Sequence, residues 1–397
     1  MSVGETINPV SPPGSEFLAP GSEQSAVQVS SALVEGAGLS AKLPGFRLAL
    51  FATFLACVVV VLGAFTRLVD AGLGCPDWPG CYGHLSWPDT HEEIARAEAL
   101  FPEAPVATDK TWPEMVHRYF AGSLGLVIVC IGLLSWHHHR KNKRLDAGGY
   151  GRNIYRTQPL KLPLALIVLV IVQALFGMWT VTLKLWPQVV TSHLLGGFTT
   201  LSLLWLLVLR LSNMWNSAVY PAQLVARISA LRPWAFAGLV VVVAQIALGG
   251  WMSSNYAALA CVDLPTCHGV WWPQTDFVRG FNIFQHIGPN YLGGLMDNEA
   301  RTAIHLCHRL GAVLAAAVTL VLAAKLWSLN TRGFRYLAVA LSLLLGVQVM
   351  LGISNIVWIL PLPVTVAHNG VGALLLLALV TVNYGLYCAA NKRVVNH

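Results

Sequence analysis

Residues 63–83 read "GAFTRLVDAGLGCPDWPGCYG", and residues 245–269 read "QIALGGWMSSNYAALACVDLPTCHG". Each stretch ends an apolar run and enters a loop with two cysteines six residues apart. Three further segments recur in the same order: "PEMVHRYFAG" and "AIHLCHRLGA", "QALFGMWT" and "QVMLGISN", "VVTSHLLGG" and "VTVAHNGVG". The chain is therefore a tandem repeat of two similar halves.

The composition places these repeats in a membrane. Of the residues, 55% are hydrophobic and only 11% are charged, whereas soluble domains carry about 25% charged residues. Eight apolar runs are long enough to cross a bilayer: 46–66, 115–136, 162–183, 189–209, 234–252, 303–326, 334–358 and 364–386. We predict an all-α polytopic membrane protein whose eight transmembrane helices form two duplicated four-helix bundles. Because four is even, both bundles have the same orientation, unlike inverted repeats.

The charges of the loops predict the topology. The loop after the first run has three basic and eight acidic residues. The loop between the second and third runs is basic, with Arg140, Lys141, Lys143, Arg144, Arg152, Arg156 and Lys161. Basic loops stay inside, so we expect both termini in the cytoplasm of a bacterium, the chain in its inner membrane and the cysteine loops outside. We expect no cleavable signal peptide and no nucleic-acid partner.

The same reading predicts five regions. Residues 1–45, rich in Ser, Gly, Pro and Glu, are expected to form a disordered cytoplasmic tail. Residues 46–211 and 234–388 are the two four-helix units. Residues 212–233 are expected to be a cytoplasmic linker, and residues 389–397 a second cytoplasmic tail.

Each half contains two histidines near the starts of its even-numbered runs. They are His117 and His193 in the first half, and His308 and His368 in the second. The helical rise places them at similar depth, and two imidazoles that face each other across a bundle are suited to ligate a haem iron. The alternative is hydrogen bonding between buried histidines. Four histidines in two matching pairs favour haem.

An acidic residue distinguishes the two halves. Glu114 lies three residues before His117, on the same helix face, whereas the equivalent position of the second half is His305. A carboxyl group beside a haem moves protons or stabilises positive charge. A solvated acid favoured by the helix dipole is the alternative, and the asymmetry favours a catalytic Glu114. Arg118 and Arg309 follow the histidines, and each either pairs with a haem propionate or extends to the interface.

The cysteine loops are expected to lie in an oxidising compartment, which favours disulfides. The predicted pairs are Cys75 with Cys81 and Cys261 with Cys267. A zinc site formed by both loops is the alternative, with His84 and His268 as additional ligands. The first loop is expected to hold a lid over the haem edge near Glu114.

The motifs "TRLVDAGLGCPDWPGC", "EMVHR", "SHLLGG", "HRLGA" and "AHNGVG" resemble those of haem A synthase, over roughly residues 46–386. This resemblance implies oxidation of the C8 methyl of haem O to a formyl group by successive hydroxylation, which supplies haem A to terminal oxidases. It implies haem B as cofactor, with His308 and His368 as its axial ligands. It likewise implies that His117 and His193 flank the substrate haem.

The resemblance also indicates partners. Haem O is the expected substrate, and molecular oxygen or water the expected oxygen source. An electron donor, which the sequence does not identify, is required, and haem O synthase is a candidate partner in the bilayer. Two alternatives stay open: a di-haem b-type membrane electron carrier, and a haem-transfer factor that leaves the macrocycle unchanged.

Overall fold

The computed structural model describes residues 1–2, 42–147, 159–212, 214–215, 220–286 and 288–391. Most of the predicted N-terminal tail, parts of the basic loop and of the linker, and residues 392–397 lie outside this range. Within it the elements are helices: α1 Phe46–Leu68, α2 His91–Leu100, α3 Thr108–Ala147, α4 Lys161–Thr182, α5 Pro187–Ser212, α6 Ala222–Ser254, α7 Phe277–Gly280, α8 Asn298–Ser328, α9 Arg332–Val357 and α10 Leu362–Ala390.

Eight of the described helices, all except α2 and α7, are long and apolar enough to cross a membrane. This confirms the predicted all-α polytopic membrane class. Several helices extend beyond the apolar runs, because hydropathy does not detect polar helical turns. α3 begins at Thr108 rather than near residue 115, and α6 begins at Ala222, so part of the expected linker is helical.

The spanning helices pack as two rings of four. In the first bundle, α1 contacts α3 and α5, and α4 contacts the same two helices. In the second bundle, α6 contacts α8 and α10, and α9 contacts the same two. The bundles meet through α1 with α10, α5 with α6, and α5 with α10. Helices at equivalent positions of the two repeats therefore make equivalent contacts.

Apolar side chains fill the end of each bundle that is opposite the cysteine loops. In the first bundle the fully buried residues there include Leu166 and Leu201, and in the second Leu322, Leu326 and Phe334. Burial of such side chains contributes about 1.5–3 kcal/mol each to stability. The end that bears the cysteine loops, hereafter the loop end, contains the histidines.

Candidate functional site

The structure brings each predicted histidine pair together. His117 lies on α3 and His193 on α5, while His308 lies on α8 and His368 on α10. Within each bundle the two imidazoles are close enough to interact electrostatically. Each pair spans opposite helices of its ring, near the loop end.

A glycine on a neighbouring helix makes room for each imidazole. A Cβ built on Gly63 would lie 2.9 Å from Cε1 of His117, which is closer than a Cβ approaches other atoms. The corresponding distances are 3.5 Å from Gly177 to His193, 3.2 Å from Gly249 to His308 and 3.2 Å from Gly352 to His368. His117, His308 and His368 therefore lie closer to the facing backbone than a side chain there would readily allow, whereas a Cβ at Gly177 would make only an ordinary contact with His193.

The donor set fits a haem. All four imidazoles are partly accessible, although helices of the bundle pack around them. Among the described residues, the Nδ1 atoms of His117, His193 and His368 are buried and have no hydrogen-bond partner. Buried polar atoms are normally paired, so these three nitrogen atoms are not satisfied by hydrogen bonds across helices. Paired imidazoles on facing helices are suitable axial ligands for haem iron.

Glu114 lies beneath the first cysteine loop, one turn from His117. Its Oε2 accepts a 3.0 Å hydrogen bond from the backbone N–H of Cys75. Its Oε1 lies 2.6 Å from Nη2 of Arg118, and its side chain is only 7% exposed. The carboxyl group is thus held between α3 and the loop, in surroundings that fix its orientation.

Arg118 connects Glu114 to the same loop. Its Nη1 donates to the backbone carbonyl oxygens of Asp77, at 3.0 Å, and of Pro79 and Gly80. In the second repeat, Arg309 donates to the carbonyl oxygens of Thr266 at 2.9 Å and Cys261 at 2.8 Å. The sequence suggested a propionate or the interface as the partner of each arginine. The structure gives both of them the cysteine loops instead.

Both cysteine loops are closed by disulfides, Cys75–Cys81 and Cys261–Cys267. This confirms the predicted disulfide bonds and leaves no thiolate pair for zinc. Among the described residues there is also no cluster of three or more histidine, cysteine or acidic side chains that could hold a metal ion.

An aspartate stabilises the turn inside each loop. Asp77 accepts hydrogen bonds from the N–H groups of Tyr82 and Gly83, at 2.6 and 2.8 Å. Asp263 accepts from the N–H groups of His268 and Gly269 in the second loop, at 2.8 and 3.0 Å. The Gly269 N–H, followed by the Thr266 hydroxyl, holds the pKa of Asp263 below its ordinary value. Burial, together with the charge of Asp77, raises the pKa of Tyr82.

The position equivalent to Glu114 in the second repeat is occupied by His305, an imidazole instead of a carboxyl group. In the second repeat, Nδ1 of His305 accepts a hydrogen bond of 3.2 Å from the backbone N–H of Cys261. The two loops are therefore anchored in the same way, by a carboxyl group in one bundle and an imidazole in the other. The anchor is a shared structural role, so only its chemistry differs between the bundles.

Two sets of contacts were not predicted from the sequence. Arg67 donates to the hydroxyl of Tyr256 at 2.9 Å and to the carbonyl of Ser253 at 2.6 Å. The Tyr256 hydroxyl in turn donates to Asp70 at 3.0 Å, which connects the loop ends of α1 and α6. Glutamine side chains contact two of the histidines: Gln245 Nε2 lies 3.1 Å from His308 Nδ1, and Gln348 Nε2 lies 3.2 Å from His368 Nε2.

Comparison of equivalent positions in the two repeats identifies several of the residues that contact the cysteine loops. Asp77 and Asp263 follow the first cysteine of each loop at the same distance, as Arg118 and Arg309 follow their histidines. A comparison of the two halves therefore singles out both pairs, although it does not give their partners.

Comparison with known proteins agrees with this architecture. Residues 46–380 match the family described as Cytochrome oxidase assembly protein, COX15-CtaA. The chain is 46% identical over 334 residues to "Heme A synthase" of Shewanella oneidensis, covering 83% of this chain and 93% of that protein. It is 26% identical over 352 residues to "Heme A synthase" of Rhizorhabdus wittichii, covering 85% and 92%. It is also 28% identical over 342 residues to that of Caulobacter vibrioides, covering 81% and 90%. With eight spanning helices and a family match over nearly their full extent, the chain belongs to the COX15-CtaA family of cytochrome oxidase assembly proteins.

Proposed function

We propose that this protein oxidises haem O to haem A within the membrane. The relatives named above as haem A synthases cover most of the chain. The structural observation that carries the proposal is the pairing of histidines in both bundles, with a carboxyl group beside only one of them. An electron carrier with two equivalent permanent haems gives no reason for that asymmetry, so it is not favoured.

The first bundle is proposed as the substrate site. His117 and His193 flank the haem O, and Glu114 lies one turn from His117, close to the loop end. Two successive hydroxylations of the methyl give a geminal diol, which loses water to form the formyl group, a four-electron oxidation that leaves one oxygen atom on the carbon. If molecular oxygen is the source, each hydroxylation also consumes two electrons from an external donor; if water is the source, an external acceptor takes the four electrons.

The second bundle is proposed to hold haem B between His308 and His368. A bound haem B would supply one-electron chemistry to this bundle. The same features as in the first bundle support this assignment of ligands: the two helices face each other, glycines lie against the rings, and the imidazoles are partly accessible. In this proposal the first bundle oxidises haem O, and the second bundle stores electrons.

Glu114 is proposed as the catalytic residue. Its carboxyl group is placed to hold or move a proton, because the Cys75 N–H and the Arg118 guanidinium fix its two oxygens. The disulfide loop lies over the same end of α3, where it would exclude water from the reacting edge. General acid–base groups contribute about 10²–10⁴-fold to rate.

The setting of these sites is a multi-pass membrane protein. We propose the bacterial inner membrane, with the disulfide loops outside and both termini inside. Haem O synthase is the proposed source of the substrate, because both proteins handle the same hydrophobic molecule within the bilayer.

One assay tests the reaction. Haems are extracted from cells that contain haem O, with and without this protein, and separated by chromatography. We expect haem A only where the full chain is expressed, with a corresponding decrease in haem O. Unchanged haem O, with haem bound to the purified protein, would instead indicate a carrier or a transfer factor.

A further inference from the structure

The two bundles differ in how their histidines are supported. Each histidine faces a glycine, and the residue four positions before that glycine is Gln173, Gln245 or Gln348 in three of the four cases. In the fourth case, opposite His117, it is Val59. Val59 and Gln245 occupy equivalent positions of the repeat, so this position has a hydrogen-bonding amide in one bundle and an apolar side chain in the other.

Both histidines of the second bundle contact a glutamine amide. Gln245 Nε2 lies 3.1 Å from Nδ1 of His308 and donates to its backbone carbonyl at 2.9 Å. Gln348 Nε2 lies 3.2 Å from Nε2 of His368. The Oε1 atoms of both glutamines are buried and have no partner in the described part of the chain. Each amide thus retains a free acceptor beside an imidazole.

Glycines also leave room for these amides. A Cβ built on Gly311 would lie 2.2 Å from Gln245 Oε1, and one on Gly372 would lie 3.4 Å from Gln348 Nε2. Both glycines lie within about one turn after the histidine on the same helix. The glutamines therefore fill a space that is left open between two helices beside the ring.

The first bundle differs at both histidines. Position 59 offers His117 a backbone group, as positions 173 and 348 offer His193 and His368, but its valine side chain adds no polar atom. Gln173 lies against Gly196, where a Cβ would be only 1.6 Å from its Nε2, so it fills the same kind of space as Gln245 and Gln348. In the described ranges, the structure gives neither His117 nor His193 a hydrogen bond from a glutamine side chain.

We infer that Gln245 and Gln348 are positioning residues that retain a haem in the second bundle, whereas Val59 leaves the haem of the first bundle exchangeable. A ligating histidine usually donates its second ring N–H to an acceptor that fixes its orientation. In the structure the amide Nε2 of each glutamine faces a ring nitrogen, and a half-turn of the amide would place the free Oε1 there instead, where it accepts that N–H. The inference rests on the proposed function, because a synthase must release its product and keep its cofactor.

Exchange of the two side chains tests the inference. Full-length Gln245→Val and Val59→Gln proteins are purified and loaded with haem b, and haem release to excess apomyoglobin is followed by absorbance. We expect Gln245→Val to release haem from the second bundle at least about tenfold faster, since loss of such partners weakens metal sites 10–100-fold. Val59→Gln is expected to slow release from the first bundle.

Two controls isolate the amide contact. Gln223→Val makes the same change on α6, at an exposed position near the end opposite the loops, and is expected to release haem at the unaltered rate. Val59→Leu separates side-chain size from hydrogen bonding. Unaltered release from Gln245→Val, or equal effects of Val59→Leu and Val59→Gln, would overturn the inference.

The experiment also separates this inference from the proposed function. Absence of haem A in cells that express the unaltered chain would reject the synthase activity, while the release rates would still compare the two bundles. If Gln245→Val does not give a monodisperse protein, Val59→Gln decides alone: unchanged release from the first bundle contradicts the inference.

Discussion

The backbone N–H of Cys75 donates a 3.0 Å hydrogen bond to Oε2 of Glu114. The first disulfide loop and the buried carboxyl group therefore support each other. Arg118 completes the arrangement, because one guanidinium contacts both Glu114 and three carbonyl oxygens of the loop. A change in the loop also alters the contacts of Glu114. The chemical role of Glu114 and the structural role of the loop therefore need separate variants.

Glu114→Gln tests the chemistry. Glutamine keeps an acceptor for the Cys75 N–H and removes the charge, so we expect a folded protein with an intact Cys75–Cys81 bond. Haem A formation is expected to fall by about 10²-fold or more, the contribution of a general acid–base group. Haem A per protein is measured by chromatography, with the exposed loop residue changed as Glu103→Gln for comparison. Normal haem A in Glu114→Gln would remove the catalytic role.

Arg118→Lys tests the support. Lysine lacks the planar fork that contacts several acceptors at once, so we expect faster reduction of Cys75–Cys81 and less haem A. Arg309→Lys makes the same change at the second loop and leaves Glu114 untouched. Maleimide labelling after mild reduction measures the first effect. Equal losses of haem A in the two variants would contradict a specific role for the Arg118–Glu114 contact.

His308→Ala and His368→Ala test the assignment of the two bundles. Removal of one of two axial ligands weakens a haem site, so both variants are expected to contain less haem B than the unaltered protein. His117→Ala and His193→Ala are expected to keep haem B and to lose haem A formation. The haem B content per protein is read from pyridine haemochrome spectra. The opposite pattern would exchange the roles of the bundles.

Replacement of both cysteines of the first loop, Cys75→Ser with Cys81→Ser, tests the disulfide. A loop this short contributes about 2 kcal/mol by chain entropy, so we expect a protein that still folds. Haem A formation is expected to fall, because Glu114 loses a fixed partner, while haem B stays in the second bundle. Mass mapping under non-reducing conditions should find the Cys75–Cys81 link in the unaltered protein. Free thiols at Cys75 and Cys81 would reject the proposal that a disulfide closes this loop beside Glu114.

Tyr256→Phe tests the contact between the two repeats. Loss of the hydroxyl removes hydrogen bonds to Asp70 and Arg67, which we expect to lower stability by about 1 kcal/mol. Thermal unfolding is measured for Tyr256→Phe, Asp70→Asn and the double variant. Effects that simply add would show that the contact does not couple the two repeats.

The membrane class and the repeat follow from the amino-acid sequence alone. Apolar runs of about 20 residues have few structural solutions in a bilayer, because every backbone polar group must be satisfied internally. The equal six-residue spacing of the cysteine pairs and the matching order of the histidine motifs then followed from the duplication, and they indicated both disulfides and the paired imidazoles before any coordinates. The ends of the helices could be predicted less well, because the first turns of α3 and α6 are polar and do not differ from loops in hydropathy.

The partners of Arg118, Arg67 and the glutamines, by contrast, became known from the folded structure. The acceptors of the two arginines include backbone carbonyl oxygens, which have no signature in the sequence, and the direction of a loop fixes which of them point inward. The difference between Val59 and Gln245 is visible in the letters, yet it has meaning only where two helices bring position 245 against His308. Spacing along a helix is set by local geometry, whereas contacts between helices and loops depend on how the whole chain packs.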